Sequence, residues 1–138
     1  MPSLPRGIAE ERFAGARVGR LATVSAEGRP HIVPVTFALL DDTLVTAVDA
    51  KPKFTRALRR LENVRATGRA SLLVDHYEED WSRLWWVRVD GPAEVLESAA
   101  AALDALAAKY EQYRANRPAG PVIEITAERW RSWVPSAT

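Results

Sequence analysis

The sequence predicts an α+β fold, mainly β, in which a small barrel of six antiparallel strands is flanked by helices. Two hairpins follow one another near the start, and consecutive hairpins exclude a purely alternating βαβ sheet. Six strand-like runs within 138 residues suit a sheet that closes on itself and so loses its edges. Between them, two segments change to a helical period. With no internal repeat, low-complexity tract or linker in view, residues 1–138 read as one domain.

Ile8 to Ala16 reads as a short amphipathic helix with Ile8, Ala9 and Phe13 on its apolar side. Val18 to Val24 is the first strand, and Ser25-Ala26-Glu27-Gly28 has turn chemistry. Arg29 to Leu40 resumes as a second strand. His31, Val33, Val35, Phe37 and Leu39 share one of its faces; Ile32, Pro34, Thr36 and Ala38 share the other. Pro34 cannot donate to a ladder, which predicts an edge, a bulge or a ligand beside it. Asp41-Asp42 then turns the chain into a third strand, Thr43 to Val48.

Helical spacing follows. Phe54, Ala57, Leu58, Leu61 and Val64 form an apolar stripe, and Lys53, Arg56, Arg59, Arg60 and Glu62 face outward. Pro52 sits where a first-turn proline is tolerated. Ala70 to Asp75 is a fourth strand, His76 to Ser82 a polar loop, and Leu84 to Leu96 a long strand bulged at Gly91-Pro92. Ser98 caps another helix that turns Leu103, Leu106, Ala107, Tyr110 and Tyr113 to the core. Arg114 to Gly120 is a loop, and Val122 to Trp130 the last strand.

Composition removes several function classes. Hydrophobic residues make up 47% of the chain, enough to build a core. Lys and Arg total 19 against 18 Asp and Glu, a net charge of +1 that argues against a nucleic-acid partner. Without cysteine there is no thiol nucleophile, disulfide or iron–sulfur cluster, and two histidines offer little to a metal. No signal-peptide-like or bilayer-spanning apolar run is present, so the expectation is a cytoplasmic protein with no membrane partner. Neither a Gly-x-Ser-x-Gly elbow nor a glycine-rich phosphate loop occurs.

What chemistry the chain does carry is concentrated in a few places. Lys51, Lys53 and Arg56 gather at the start of a helix, where cations cost stability unless an anion compensates them. They form either an anion pocket or a solvated face. Among five tryptophans, adjacent Trp85 and Trp86 must point to opposite sides of their strand. An outward tryptophan calls for a subunit interface or a flat ligand. His76, followed by Glu78, Glu79 and Asp80, is placed to be protonated or to join a weak cation site.

These residues resemble a family. Arg20-Leu21-Ala22-Thr23-Val24 with Gly28-Arg29-Pro30-His31-Ile32-Val33-Pro34-Val35 is similar to the first hairpin of pyridoxamine 5′-phosphate oxidase-like, flavin-binding split barrels. Lys51-Pro52-Lys53, the stretch Ser71 to Tyr77, and Asp80-Trp81-Ser82-Arg83-Leu84-Trp85-Trp86-Val87-Arg88 resemble an actinobacterial branch that uses the deazaflavin coenzyme F420 in place of FMN. The resemblance implies a homodimer of six-stranded split barrels with cofactor sites between subunits. It implies that Lys51, Lys53 and Arg56 hold the cofactor phosphate and that Val33, Pro34, Val35 and Thr36 lie along the ring. By the same resemblance Trp85, Trp86 and Arg88 approach from the partner or line the substrate pocket. The implied activity is hydride transfer to a small planar conjugated substrate; an FMN enzyme and a non-catalytic flavin, deazaflavin or heme carrier are the alternatives. The C-terminal run Trp130-Arg131-Ser132-Trp133 departs from the arginine-rich end of true pyridoxamine phosphate oxidases, which argues against a vitamin B6 substrate.

Overall fold

Alternating burial along the first strand decides which side of the sheet becomes interior. The computed structural model describes residues 2–48 and 55–135, with the side chains of residues 55–58 left out of the description. In β1 (Gly19–Val24) Gly19, Leu21 and Thr23 are buried while Arg20 and Val24 are exposed. The remaining strands are β2 (Pro30–Val35), β3 (Ala38–Leu40), β4 (Thr43–Ala47), β5 (Arg69–His76), β6 (Trp85–Leu96), β7 (Val122–Thr126) and β8 (Arg129–Trp133). Helices α1 (Arg6–Gly15), α2 (Thr55–Thr67), α3 (Ala100–Lys109) and α4 (Glu111–Ala115) flank them.

The strands pair antiparallel in the order β2-β1-β5-β6-β7-β4-β3, and β8 joins β6 beside β7. The sheet therefore has eight strand segments where six were predicted, and both extra ones come from breaks in predicted strands. Residues 29–40 divide at Thr36-Phe37 because the ladder partner changes: β2 pairs with β1, and β3 with β4. Residues 122–130 divide at Ala127-Glu128, where β7, held between β4 and β6, gives way to β8, which pairs with β6 alone. In both cases a continuous apolar pattern is bent across two parts of the sheet, which periodicity alone does not register.

The predicted bulge at Gly91-Pro92 also moves. Asp90 pairs with Arg129 and Ala93 with Ile125, so two residues of β6 face three between β7 and β8. The extra residue sits in the opposite strand pair, and β6 runs unbroken. Gly91 is still required, because the Thr126 carbonyl lies against its Cα.

The main core joins Phe13 of α1, Leu61 and Val64 of α2 and the inner faces of the strands, including Leu21, Leu72, Val87 and Ile125. Phe13 meets Phe37 at 5.0 Å and Trp130 at 5.4 Å between ring centroids. Ile8, expected on the apolar side of α1, is 43% exposed; the helix buries Ala9 and Phe13. A second cluster packs Ala102 and Leu106 of α3 against Val45 and Val122, with Tyr110 and Tyr113 at its margin as their spacing predicts. Ser98 does not cap α3: the cap position is Ala99, with no side-chain bond. The predicted loop after Tyr113 begins inside α4, and the loop between β5 and β6 contains a 3-10 turn, Trp81–Arg83, capped by Asp80.

β2 is an end strand. It pairs with β1 only, through a register in which Pro34 opposes Arg20 and Pro30 opposes Val24. Of the edge, bulge or ligand expected beside Pro34, the edge is present. Among the described residues no helix is long and apolar enough to cross a membrane.

Candidate functional site

Strand alternation sorts the predicted ring-contacting residues. Val33 and Val35 turn inward to the core, while Ile32 and Pro34 face out. Thr36 leaves the strand at the corner, and two tyrosines from the α3–α4 junction hold that corner. The Tyr113 hydroxyl is 2.7 Å from Thr36 Oγ1. Phe37 N donates to the Tyr110 hydroxyl at 3.2 Å, and that hydroxyl donates to the Arg17 carbonyl at 2.9 Å. Burial raises the Tyr110 pKa, keeping the hydroxyl a donor.

Beside the corner, Lys109 places Nζ 3.8 Å from the centroid of Phe37, and that nitrogen is buried without a hydrogen-bond partner. Burial, followed by the Arg17 charge, lowers its pKa to about 8. Sequence reading passed over Lys109. Its helical position one residue before Tyr110, which was placed toward the core, was the available signal.

Further along β2, His31 Nδ1 is buried and unpartnered. Burial, then the charges of Arg59 and Arg60, lower its pKa. Arg60 was expected on a solvated face, yet it is partly buried and its Nε has no partner. Arg59 is exposed, as predicted. Lys51 and Lys53 lie outside the described residues; Arg56 lies on α2 with its side chain outside them. What the structure places at the start of β2, near Arg59 and Arg60 of α2, is a pair of buried nitrogens without partners, His31 Nδ1 and Arg60 Nε. The guanidinium nitrogen is a fixed donor, which fits an anionic group. Below it the Asn63 amide donates to Thr23 Oγ1 at 3.0 Å, fixing α2 against β1.

The other predicted residues stand elsewhere. Trp85 turns inward, with the His76 ring stacked at 6.5 Å and the Arg12 guanidinium at 5.5 Å. Trp86 turns outward, as adjacency requires, and Arg88 lies 5.8 Å from its ring. Arg88 binds Asp90 through Nε at 2.8 Å and a second nitrogen at 3.1 Å. Burial pushes the Asp90 carboxyl up, but the bonds from Arg88 and Ser71 outweigh it and hold the pKa below its usual value. His76 contacts Glu78, and Arg83 reaches Glu78 at 3.9 Å.

Register measures the separation of the two groups. Pro34 pairs with Arg20, Arg20 with Leu73 and Leu73 with Arg88, so Pro34 and Arg88 share one row on the outer face. Three strand spacings put them roughly 14 Å apart. A single chain does not bring Trp86 and Arg88 to β2. The same outer face carries Val24, 44% exposed, and Ile32, 64% exposed. Leu73, Tyr77 and Trp86 line a depression of about 310 Å³ on it.

A family model described as pyridoxamine 5′-phosphate oxidase matches residues 8–134. The chain belongs to the pyridoxamine 5′-phosphate oxidase family. No curated protein matches it in sequence. Among solved structures, a conserved hypothetical protein of Mycobacterium tuberculosis is similar, with 22% identity, TM-score 0.73, and 98% of this chain and 91% of that one covered. A FAD-binding protein of Mesorhizobium loti is 23% identical with TM-score 0.73, covering 98% of each chain. A FAD-binding protein of Mycobacterium smegmatis is 16% identical with TM-score 0.67, covering 99% of this chain and all 100% of that one. At these identities the likeness establishes the fold of this family member.

Proposed function

We propose that this family member is an oxidoreductase dependent on coenzyme F420, acting as a homodimer that passes a hydride to a small planar conjugated substrate. The observation that carries the reading is the pair of unpartnered buried nitrogens, His31 Nδ1 and Arg60 Nε, beside the charge of Arg59. A phosphate there would supply the acceptor that the Arg60 guanidinium lacks. Lys51, Lys53 and Arg56 would complete the grip, and Val33 to Thr36 would lie along the ring, the corner at their end held by Tyr113 on Thr36 Oγ1 and by Tyr110 on Phe37 N. The coenzyme supplies the hydride, so this chain needs to hold, orient and shield rather than attack.

The separation of roughly 14 Å between Pro34 and Arg88 supports a second copy as the source of Trp86 and Arg88, with Trp85 turned inward behind them. The outer face, with Val24, Ile32 and the Trp86 depression, would bury its apolar surface in that pairing. FMN and FAD define the second reading, a flavin enzyme or carrier, favoured by the two FAD-binding proteins of the same fold. Calorimetric titration with F420, FMN and FAD side by side tests both. Tight binding of F420, followed by bleaching of its reduced form in stopped flow with an added acceptor, is the expected result. A preference for FMN or FAD would replace F420, and binding without turnover would leave a carrier.

A further inference from the structure

Lys109 ends α3 with its ammonium in a niche that offers no acceptor. Nζ is buried without a hydrogen-bond partner, 3.8 Å from the ring centroid of Phe37 and 5.3 Å from that of Tyr110. The Tyr110 hydroxyl is already engaged, accepting from Phe37 N and donating to the Arg17 carbonyl. Among the described residues no carboxylate acts on Lys109; the charge it feels is that of Arg17, between α1 and β1. Arg114 of α4 is turned to the carbonyls of Ala107 and Ala108.

Residue type matters here as much as place. The chain uses sixteen arginines and three lysines. A guanidinium at position 109 would stay charged at any physiological pH, whereas an amine can give up its proton. Burial, then the Arg17 charge, brings the Lys109 pKa down to about 8, where a modest change in local field moves the proton.

Two tyrosines join this ammonium to the anion site proposed above. Tyr110 and Tyr113 meet edge to face at 5.6 Å between centroids. Tyr113 holds Thr36, and it also acts on Arg60, whose pKa burial lowers and Tyr113 partly restores. Packed rings screen a charge less than water does, so an anion at one end of this path is felt at the other.

We infer that Lys109 is the group that takes up a proton when an anion settles on Arg60, so that proton and anion bind cooperatively from different elements. The inference rests on the anion site of the proposed function and adds its regulation: Lys109 touches no ligand and acts through its charge. Its sign follows from reciprocity. An anion favours the ammonium, the ammonium form therefore holds the anion more tightly, and affinity falls as pH rises through the Lys109 titration. His31, held below its ordinary value by burial and then by Arg59 and Arg60, titrates in a separate, lower window.

Calorimetry on the full chain at pH 8, in two buffers of different ionisation enthalpy, counts the protons taken up. The probes are F420, FMN and sulfate. An anion that binds should bring with it about 0.3–0.5 proton, the share that a group of pKa about 8 leaves vacant at that pH. It should bind about fivefold more weakly at pH 9 than at pH 7. In Lys109→Met both the uptake and the pH slope should vanish, whereas a merely structural loss would lower affinity equally at every pH. Should that variant not fold, carbon-13 labelling of the three lysines in the parent decides. The signal that titrates near pH 8 should move to higher pH when the anion is added and stay in place with chloride at equal ionic strength. Binding without proton uptake, or uptake that persists in a folded Lys109→Met, overturns the inference and leaves the anion site standing. Failure of all three probes to bind removes that site and the inference together.

Discussion

Gly91 and Thr126 approach so closely that a Cβ built on the glycine would lie 1.8 Å from the Thr126 carbonyl oxygen. That carbonyl also accepts from Glu128 N at 2.8 Å, within the turn that hands β7 over to β8. The break in the last strand and the glycine in the long strand are one feature seen from two sides.

Gly91→Ala should therefore be severe. The intruding methyl meets backbone, which cannot swing aside, and the cost should reach about 3 kcal/mol, the upper end for overpacking. Urea unfolding monitored by tryptophan fluorescence measures it; a loss below about 0.5 kcal/mol would mean the turn yields.

A buried polar pair gives a second prediction. Thr23 and Asn63 are 3% and 4% exposed, and the Asn63 amide donates to the threonine hydroxyl. Thr23→Val keeps the shape and leaves that amide without its acceptor, at a cost of about 1–3 kcal/mol. The double variant Thr23→Val with Asn63→Leu should recover part of it, which a double-mutant cycle in urea would quantify.

Lys109 sets an alkaline dependence. With its folded pKa lowered to about 8 from 10.5, the native state releases this proton while the unfolded chain still holds it. Stability should rise with pH between about 8 and 10, because the unfolded state then binds more protons. Lys109→Met keeps the contact with Phe37 and removes the proton, so the slope should flatten in thermal melts taken across that range. The raised pKa of Tyr110 acts oppositely, above pH 10, and is left in place by the variant.

The cofactor grip gives a fourth. Lys53→Ala should weaken a phosphorylated cofactor by about 1.5–3 kcal/mol, the worth of one charged hydrogen bond. Arg65→Ala, at the far end of α2 and engaged with Glu97, should leave affinity unchanged. Calorimetry on both variants decides; equal affinity of Lys53→Ala and the parent removes Lys53 from the site.

Much of this architecture could be read from the residues because local pattern and tertiary role agree there. The hairpin at 25–28, the strand from Ala70 to Asp75 and the opposite sides of Trp85 and Trp86 are examples. Hidden features arise where distant segments decide. Thr36-Phe37 bends because β1 and β4 claim different halves of one apolar run. Arg60 looks like a surface residue by its spacing, and only packing makes it a desolvated donor. The paired arginines 88 and 131 lie 43 positions apart in sequence, and only the β6–β8 ladder sets them face to face.

The prolines of β2 bear on how copies of this protein avoid sticking together. Pro34 and Pro30 cannot supply the amide bonds to β1, so the groups turned toward β1 are those of His31, Val33 and Val35. Of Pro30, Ile32 and Pro34, which face away, only Ile32 has a hydrogen to offer an incoming strand. A bare sheet margin is normally a template for fibre growth. Here it is capped chemically while staying sterically open, so the margin resists polymerising yet leaves room for a flat guest.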